Sequence, residues 1–485
     1  MAGIGVKLNR IYQKETLASN LFGMGYSVVI TVAPMAVVIL AIFAMQIVLD
    51  IARTGYAGRE LFACTVLYIF IFSLLMASPF NSVLSRYMSD IIYEERYEDI
   101  IPCFYVGLVM NVGFGSLFGI PFCIREYLVG GVSGIYVFTG YCGYIALILV
   151  FYSMLYLSIC KDYQKISLYF AVGMVLAVLL SVLFANVIGM EKTYSMLLSL
   201  TIGFLVIAGL ETALIRSYFR ENSGEYKKVF AYFRRFWKLV LTNFLYTLGL
   251  YIHNFVFWTT DLHMTVVHTF VCVTSYDMAT CLAMFTNISA SVIFISRVEM
   301  HFHERYKLYS EAVIGGRYMD VELTKNRMFR QLGEELLSLV RIQFFVSLIV
   351  YFVCVIILPQ FGFGGLVLKI YPCLAAGYFV LFIMYAAIIF LYYFNDLTGS
   401  LLTAGIFCVT TMAVSIVATY LPEIWYGIGV FVGAFTGWTV AYLRIRWLEN
   451  NLDEHTFCRG TMLKKGKGKK PPSKVFDRGE QNEVS

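Results

Sequence analysis

Charged residues are scarce in this chain. Asp, Glu, Lys and Arg make up 14% of its 485 residues, whereas hydrophobic types make up 59%. Soluble domains carry about 25% charged residues. A water-soluble fold of this length could not hide so much apolar surface, so the composition excludes that class and predicts a protein embedded in a lipid bilayer.

Metal-binding and disulfide motifs are also missing. The eleven cysteines include no C-x-x-C pair, and most lie in apolar runs, where we expect small buried side chains rather than a disulfide or zinc framework. Two of the six histidines, His301 and His303, lie in a predicted inner loop, where we expect surface side chains rather than a metal site. We therefore expect no metal, no cofactor, no catalytic centre and no nucleic-acid partner.

Long apolar runs dominate the rest of the chain, and none alternates like an outer-membrane strand. A helix needs about 20 mostly apolar residues to cross a membrane. The runs that qualify cover approximately residues 20–49, 61–85, 101–124, 132–159, 166–188, 194–215, 238–259, 278–296, 337–358, 373–394, 399–420 and 425–447. The predicted fold is an all-α polytopic membrane protein with twelve transmembrane helices.

Lys and Arg are distributed unevenly between the loops. With the N-terminus in the cytoplasm, the inner side holds 32 of the 37 basic residues and the outer side holds five. Those five are Arg53, Arg59, Arg125, Lys192 and Lys369. The positive-inside rule then predicts that both termini are cytoplasmic in a multi-pass protein of the cell membrane.

The predicted spans divide evenly around a basic segment. The expected domains are an interfacial amphipathic helix (1–19), an N-lobe of six spans (20–218), a cytoplasmic basic linker (219–237), a C-lobe of six spans (238–447) and a Lys-rich cytoplasmic tail (448–485). The loops after spans 2 and 8 both read Ser-Arg and then Glu-Arg-Tyr (residues 95–97 and 304–306). This echo hints at a parallel repeat of the two lobes.

Several stretches carry a family resemblance. They are MAGIG before a basic helix, SRYMSDIIYEERYEDIIP, YTLGLYIHNFVFW and RVEMHFHERYKLYSEAVIGG. From residue 1 to about residue 450 the chain resembles the Pel exopolysaccharide transporter family (PelG-like), within the multidrug/oligosaccharidyl-lipid/polysaccharide (MOP) flippase superfamily.

The resemblance implies a MATE-like fold, in which two six-helix lobes enclose a cavity. It implies export of an exopolysaccharide chain rich in N-acetylgalactosamine. It also implies two kinds of partner, a cytoplasmic glycosyltransferase (PelF-like) and membrane regulatory subunits (PelD/PelE-like).

A polysaccharide path must offer hydrogen-bond partners, because each sugar hydroxyl loses its water in hydrocarbon. Polar residues at helical spacing in spans 1, 7 and 8 are the candidates. They are Ser27 and Thr31, then Asn243, Tyr246, Thr247, His253 and Asn254, and finally Asn287. An aromatic stripe in span 10 could stack on sugars, and it contains Tyr378, Phe382, Tyr385 and Tyr392. The alternative for all of them is packing between helices.

Two charged residues lie within predicted spans. Glu211 and Arg341 could extend to the inner surface or pair there. The functional alternative is an ion-coupling carboxylate for Glu211 and a ligand or headgroup contact for Arg341. A four-residue glycine repeat in span 12 (Gly429, Gly433, Gly437) predicts close helix packing.

Other functions fit parts of these observations. A flippase for lipid-linked glycans or an ion-coupled small-molecule antiporter would share the architecture. A polytopic glycosyltransferase would need paired acids in an outer loop. Asp261 and Asp277 lie in such a loop but form no paired-acid motif. A membrane scaffold that docks a polysaccharide synthase is the remaining alternative.

Overall fold

The computed structural model describes residues 17–51, 55–159, 163–290, 294, 299–361 and 364–457, and of residues 17–32 only the backbone course. Helices account for most of these residues. In chain order they are α1 (Leu17–Val48), α2 (Tyr56–Tyr93), α3 (Ile100–Leu128), α4 (Gly134–Ile159), α5 (Tyr163–Val182), α6 (Lys192–Tyr218), α7 (Tyr226–Arg235), α8 (Trp237–Phe257), α9 (Thr274–Asn287), α10 (Glu299–Gly315), α11 (Tyr318–Ile357), α12 (Leu366–Tyr393), α13 (Leu397–Ala418) and α14 (Ile428–Phe457).

Ten helical segments within the described residues are long and apolar enough to cross a membrane. They contain α2 to α6, α8 and α11 to α14. The first and eighth predicted spans are not among them. Helix α1 of the first span runs from Leu17 to Val48, but its side chains are described only from Ala33, and α9 of the eighth ends at Asn287. The described residues are thus predominantly helical and form a multi-pass membrane protein, while the count of twelve helices stays a prediction.

The predicted inner segment between spans 8 and 9 is largely helical. It contains α10, and the 40-residue α11 begins at Tyr318, well before its apolar part. Oppositely charged side chains one turn apart support these polar helices, as in the ion pair of Arg330 Nε with Glu334 Oε1 at 3.0 Å. Because hydropathy detects only the apolar part of a helix, it did not predict the polar part of α11 that begins at Tyr318.

A short β-hairpin between α8 and α9 departs from the all-α prediction. Strand β1 (Met264–Val266) is antiparallel to β2 (Phe270–Cys272), with Thr265 opposite Val271. The turn places Val267 and His268 at positive φ, 48° and 61°. Three-residue strands are too short to produce a detectable alternation, which is why the sequence did not indicate the hairpin.

The helices form two groups. Helices α1–α6 pack on one another and form the first bundle. Helices α8, α9 and α11–α13 do likewise and, with α14 as far as Ala441, form the second bundle. The glycine repeat of α14 packs as predicted, because a Cβ at Gly433 would collide with Thr411 of α13. The main contact between the bundles runs along α2 and α8.

The Glu-Arg-Tyr echo does not lie on matching local structure. Glu95, at φ 57°, lies in the turn that follows α2 and leads into the 3-10 helix Tyr97–Asp99. The second copy, at residues 304–306, is inside α10. The Ser296-Arg297 half of the echo lies outside the described residues. The motif therefore does not support an internal repeat.

Candidate functional site

The seam between α2 and α8 is aromatic near the hairpin. The ring of Tyr68 stacks on that of Trp258 with centroids 5.1 Å apart. One turn further, Phe72 stacks on Phe255 at 5.8 Å. These stacked rings hold the two bundles together along this part of the seam.

The other half of the seam is polar and half-buried. Asn243 of α8 donates from Nδ2 to Ser82 Oγ and, at 3.2 Å, to the Ser78 carbonyl of α2. Its Oδ1 accepts from the Tyr392 hydroxyl of α12 at 3.4 Å. Close by on α8, the ring of Tyr246 stacks on that of Tyr385 with centroids 4.8 Å apart. We name Ser82, Asn243, Tyr246, Tyr385 and Tyr392 the seam cluster.

The seam cluster combines two features that were predicted separately. The polar face of α8 and the aromatic stripe of α12 contact each other, at Asn243–Tyr392 and Tyr246–Tyr385. An amide, hydroxyls and aromatic faces that stay partly exposed are the groups that bind sugar rings and hydroxyls. This part of the predicted path therefore carries the kinds of side chain that a carbohydrate-binding surface needs.

His253 and Asn254 lie in the interior of the second bundle. The His253 ring nitrogens lie 2.8 Å from the Tyr276 hydroxyl and 3.2 Å from that of Tyr378. Asn254 Nδ2 donates to Asp277 Oδ1 at 2.7 Å. Both residues are buried, with 0% and 2% of their surface exposed. Their partners are neighbouring helices, as in the packing alternative.

Asp277 is the hub of this buried cluster, and it was not among the predicted site residues. Besides Asn254, its carboxylate accepts from Trp258 Nε1 at 3.1 Å and from the Val273 backbone N–H at 3.1 Å. These donors come from the end of α8 and the start of α9. The carboxylate therefore fixes the junction between the hairpin and both helices.

Asn287 is fully buried where three helices meet. Its Nδ2 donates to the carbonyl of Ala375 in α12 at 3.0 Å. Its Oδ1 accepts from Ser347 Oγ of α11 at 2.7 Å and lies 3.5 Å from Gln343 Nε2. This amide connects α9, α11 and α12.

Thr247 of α8 is likewise buried, with 7% of its surface exposed.

At the hairpin end, the second bundle reaches across to the first. The Tyr68 hydroxyl donates to the Val271 carbonyl at 2.8 Å and lies 3.1 Å from the Val271 amide nitrogen. Thr269 Oγ1 donates to Glu126 Oε2 of α3. These three hydrogen bonds join the hairpin to helices of the first bundle, so this end of the seam is closed.

A cavity of about 250 Å³ lies beside this closure, within the first bundle. Its walls are mostly aromatic and come from α2, α3 and α4, with Phe270 of the hairpin. They include Tyr68, Phe72, Phe118, Phe122, Tyr136, Tyr141 and Tyr144, together with the single carboxylate Glu126. Of the six predicted path residues whose side chains the structure describes, none lines this cavity.

The opposite end of the seam is joined through the linker helix α7. The Tyr232 hydroxyl lies 2.6 Å from Asp90 Oδ2 of α2, and the Arg86 guanidinium lies 4.3 Å from the centroid of the Phe236 ring. Burial and the hydrogen bond to Asp90 raise the pKa of Tyr232. The phenol thus stays a neutral donor.

Glu211 does not extend to a surface or pair there. It is fully buried in α6, and neither carboxylate oxygen has a hydrogen-bond partner among the described residues. Helices α5 and α6 are antiparallel here, with Gly173 beside Gly203 and the Lys165 amine 2.6 Å from the Tyr218 hydroxyl. Ser167 lies at the same level as Glu211 in this register, and its hydroxyl also lacks a partner in the described structure.

The remaining predicted residues are less informative. Arg341 is exposed on α11, and its extension to the membrane surface stays a prediction. Ser27 and Thr31 lie on α1, but their side chains are outside the described residues. The structure therefore brings together Asn243 and Tyr246 in the seam cluster and places His253, Asn254 and Asn287 in the second bundle's interior.

Comparison with known proteins agrees with this architecture. The profile of the PelG family, described as "Putative exopolysaccharide Exporter (EPS-E)", matches residues 1–457. No protein of curated function matches the sequence.

Solved transporters share the fold. A multidrug resistance MATE family transporter of the MOP superfamily in an outward-facing conformation superposes with TM-score 0.59 at 14% identity, covering 89% of this chain and 96% of that chain. An inward-facing MATE transporter gives 0.58 at 13% identity, covering 87% and 96%. A MOP superfamily transporter from Pyrococcus furiosus gives 0.53 at 14%, covering 89% and 96%. At these identities the likeness shows the fold alone.

Proposed function

Since the chain belongs to the PelG family of exopolysaccharide exporters, we propose that it carries an exopolysaccharide out of the cell across the cytoplasmic membrane. The family match over residues 1–457 carries this proposal. The fold shared with MATE transporters is compatible with this proposal.

The finer proposal concerns topology, substrate and partners. Twelve helices with both termini in the cytoplasm fit the distribution of Lys and Arg. The substrate is a Pel-like polymer rich in N-acetylgalactosamine. A PelF-like cytoplasmic glycosyltransferase and PelD/PelE-like membrane subunits supply it from the inner side.

The polymer path runs along the α2–α8 seam and past the seam cluster. Asn243 and Tyr392 provide hydrogen-bonding groups, and the stacked rings of Tyr246 and Tyr385 provide flat faces for sugar rings. Half-buried side chains there can exchange their present partners for sugar hydroxyls. Groups buried inside the second bundle, such as Asn254, position the path rather than touch the substrate.

Alternating access requires the closed hairpin end to open. The hydrogen bonds of Tyr68 with Val271 and of Thr269 with Glu126 would then break. Glu211 is the ion-coupling carboxylate of this cycle. An ionised carboxylate in its apolar surroundings is costly, so binding of a proton or another cation would change the stability of the first bundle.

The alternatives predict different transported species. A lipid-linked glycan flippase or a small-molecule antiporter would use the same fold without moving a polymer, and a scaffold would transport nothing. Liposomes containing the purified chain and a fluorescently labelled oligosaccharide separate these cases. Release of the oligosaccharide supports the exporter, whereas retention by an otherwise intact protein contradicts it and leaves the flippase, the antiporter and the scaffold.

In cells, Asn243→Leu and Tyr392→Phe should reduce secreted polymer while membrane abundance stays normal. The matched control is Tyr371→Phe, which removes a buried hydroxyl that lies 2.6 Å from Thr286 Oγ1, away from the seam. We expect export to fall by about tenfold for Asn243→Leu and to stay near normal for the control. Equal export from all three variants would contradict a path through the seam cluster.

A further inference from the structure

The hairpin belongs to the second bundle by sequence but is packed on the first. Val266, Phe270 and Cys272 are buried in one apolar cluster with Cys64 of α2. Only Val273 separates Cys272 from the first residue of α9. A restraint on Cys272 would therefore act almost directly on the second bundle.

Two thiols meet at this junction. The sulfur atoms of Cys64 and Cys272 are 2.9 Å apart, although the residues are 208 positions apart in sequence. Both cysteines are free, and each is 2% exposed. Both are buried among apolar side chains, as the sequence predicts, but in addition they face each other.

We propose that Cys64 and Cys272 are a modification site, and that a disulfide between them holds the hairpin on α2. The bond would keep this end of the seam closed and prevent alternating access. The block of alternating access depends on the proposed transport function. Formation of the disulfide and the restraint on the hairpin do not depend on it.

Burial decides when oxidation can happen. In the closed structure neither thiol is accessible to a reagent in solution. The hairpin must first leave α2, which exposes Cys272, and then return. Oxidation therefore begins in the open state, and the disulfide that results traps the closed state. The charge distribution predicts that this end faces outward, where disulfides persist.

The oxidant is a disulfide donor, RSSR, and the step is thiol–disulfide exchange. The Cys272 thiolate attacks one sulfur of RSSR, forming a mixed disulfide and releasing RS⁻, which takes up a proton. When the hairpin returns, the Cys64 thiolate attacks the Cys272 sulfur and releases a second RSH. Two protein thiols and RSSR thus become one protein disulfide and two RSH, and the two electrons pass to the donor.

The test uses the full chain, purified and reconstituted in lipid, with glutathione disulfide as the donor. Mass spectrometry of unreduced peptides should find Cys64 linked to Cys272. Hydrogen exchange at the hairpin amides, residues 264–272, should slow by roughly tenfold or more and recover after reduction with dithiothreitol.

Three variants provide the controls. Cys64→Ala and Cys272→Ala should form no linked peptide and show no change in exchange on oxidation. Cys103→Ser should behave like the unmodified protein, because that buried thiol contacts Tyr156 and not a cysteine. Absence of the Cys64–Cys272 peptide, or unchanged exchange once it has formed, overturns the proposal.

Transport is measured on the same samples. Oxidation should abolish oligosaccharide release by the unmodified protein and by Cys103→Ser, but not by the two alanine variants. Release that continues at full rate from the linked protein overturns the arrest of alternating access. If the reduced protein releases no oligosaccharide either, the proposed function fails, and the peptide and exchange results still decide the disulfide and the restraint.

Discussion

Replacing Asn254 by Leu should destabilise the protein. The Asp277 carboxylate receives hydrogen bonds from three donors, Asn254 Nδ2, Trp258 Nε1 and the Val273 amide. Leucine removes the shortest of them, at 2.7 Å, inside a buried cluster. A hydrogen bond to a charged group contributes about 1.5–3 kcal/mol, so we expect a loss of that size in the free energy of unfolding.

The matched comparison is Asn243→Leu, which removes neutral hydrogen bonds from a half-buried site. Hydrogen bonds between membrane helices contribute on average about 0.6 kcal/mol, so this variant should lose much less stability. Export should not follow stability in these two variants. Asn243→Leu should lose export at normal abundance, whereas any loss for Asn254→Leu should follow reduced abundance.

The assay is reversible unfolding in mixed micelles, combined with a double-mutant cycle of Asn254→Leu and Asp277→Asn. The cycle should give a coupling of about 1 kcal/mol or more, because the two side chains contact each other. Equal destabilisation by Asn254→Leu and Asn243→Leu, or a coupling near zero, would refute the assignment of Asp277 as the hub.

Three further predictions concern other parts of the molecule. Gly433→Ala should reduce stability by about 1–3 kcal/mol, because the added Cβ collides with Thr411. Gly405→Ala on α13 is the control, since its Cβ would meet only a side-chain methyl at 3.9 Å, and the melting temperature should distinguish the two. Glu211→Gln should insert and fold normally but lose ion-gradient-driven transport in liposomes, and normal transport would remove its coupling role. A tag beside Asp261 should react with a membrane-impermeant reagent from outside the cell, and labelling only after lysis would reverse the predicted topology.

Much of the architecture could be predicted from the sequence. Apolar runs identify membrane helices because the bilayer requires about 20 apolar residues per crossing, wherever the helix packs. The glycine repeat of α14 indicated close packing because only small residues allow helix backbones to approach. The family assignment, confirmed over residues 1–457, came from local stretches such as SRYMSDIIYEERYEDIIP.

The candidate site could be predicted only in part. Helical spacing showed that Asn243, Tyr246 and Asn254 share a face of α8, but not which element each contacts. In the structure, Asn243 contacts α2 and α12, whereas Asn254 contacts α9. Their participation in transport stays a prediction. Asp277 was set aside because a single acid in a loop carries no motif.

The sequence by itself determined that this protein lies in a lipid bilayer, that it is helical and which family it belongs to. These properties depend on composition, local periodicity and short motifs. Only the tertiary structure decided which groups meet. It placed Cys64 against Cys272 across 208 residues, joined the hairpin to α2 and left Glu211 buried without a partner among the described residues. These outcomes depend on the packing of helices distant in sequence, and one-dimensional spacing specifies the face of a helix but not its neighbour.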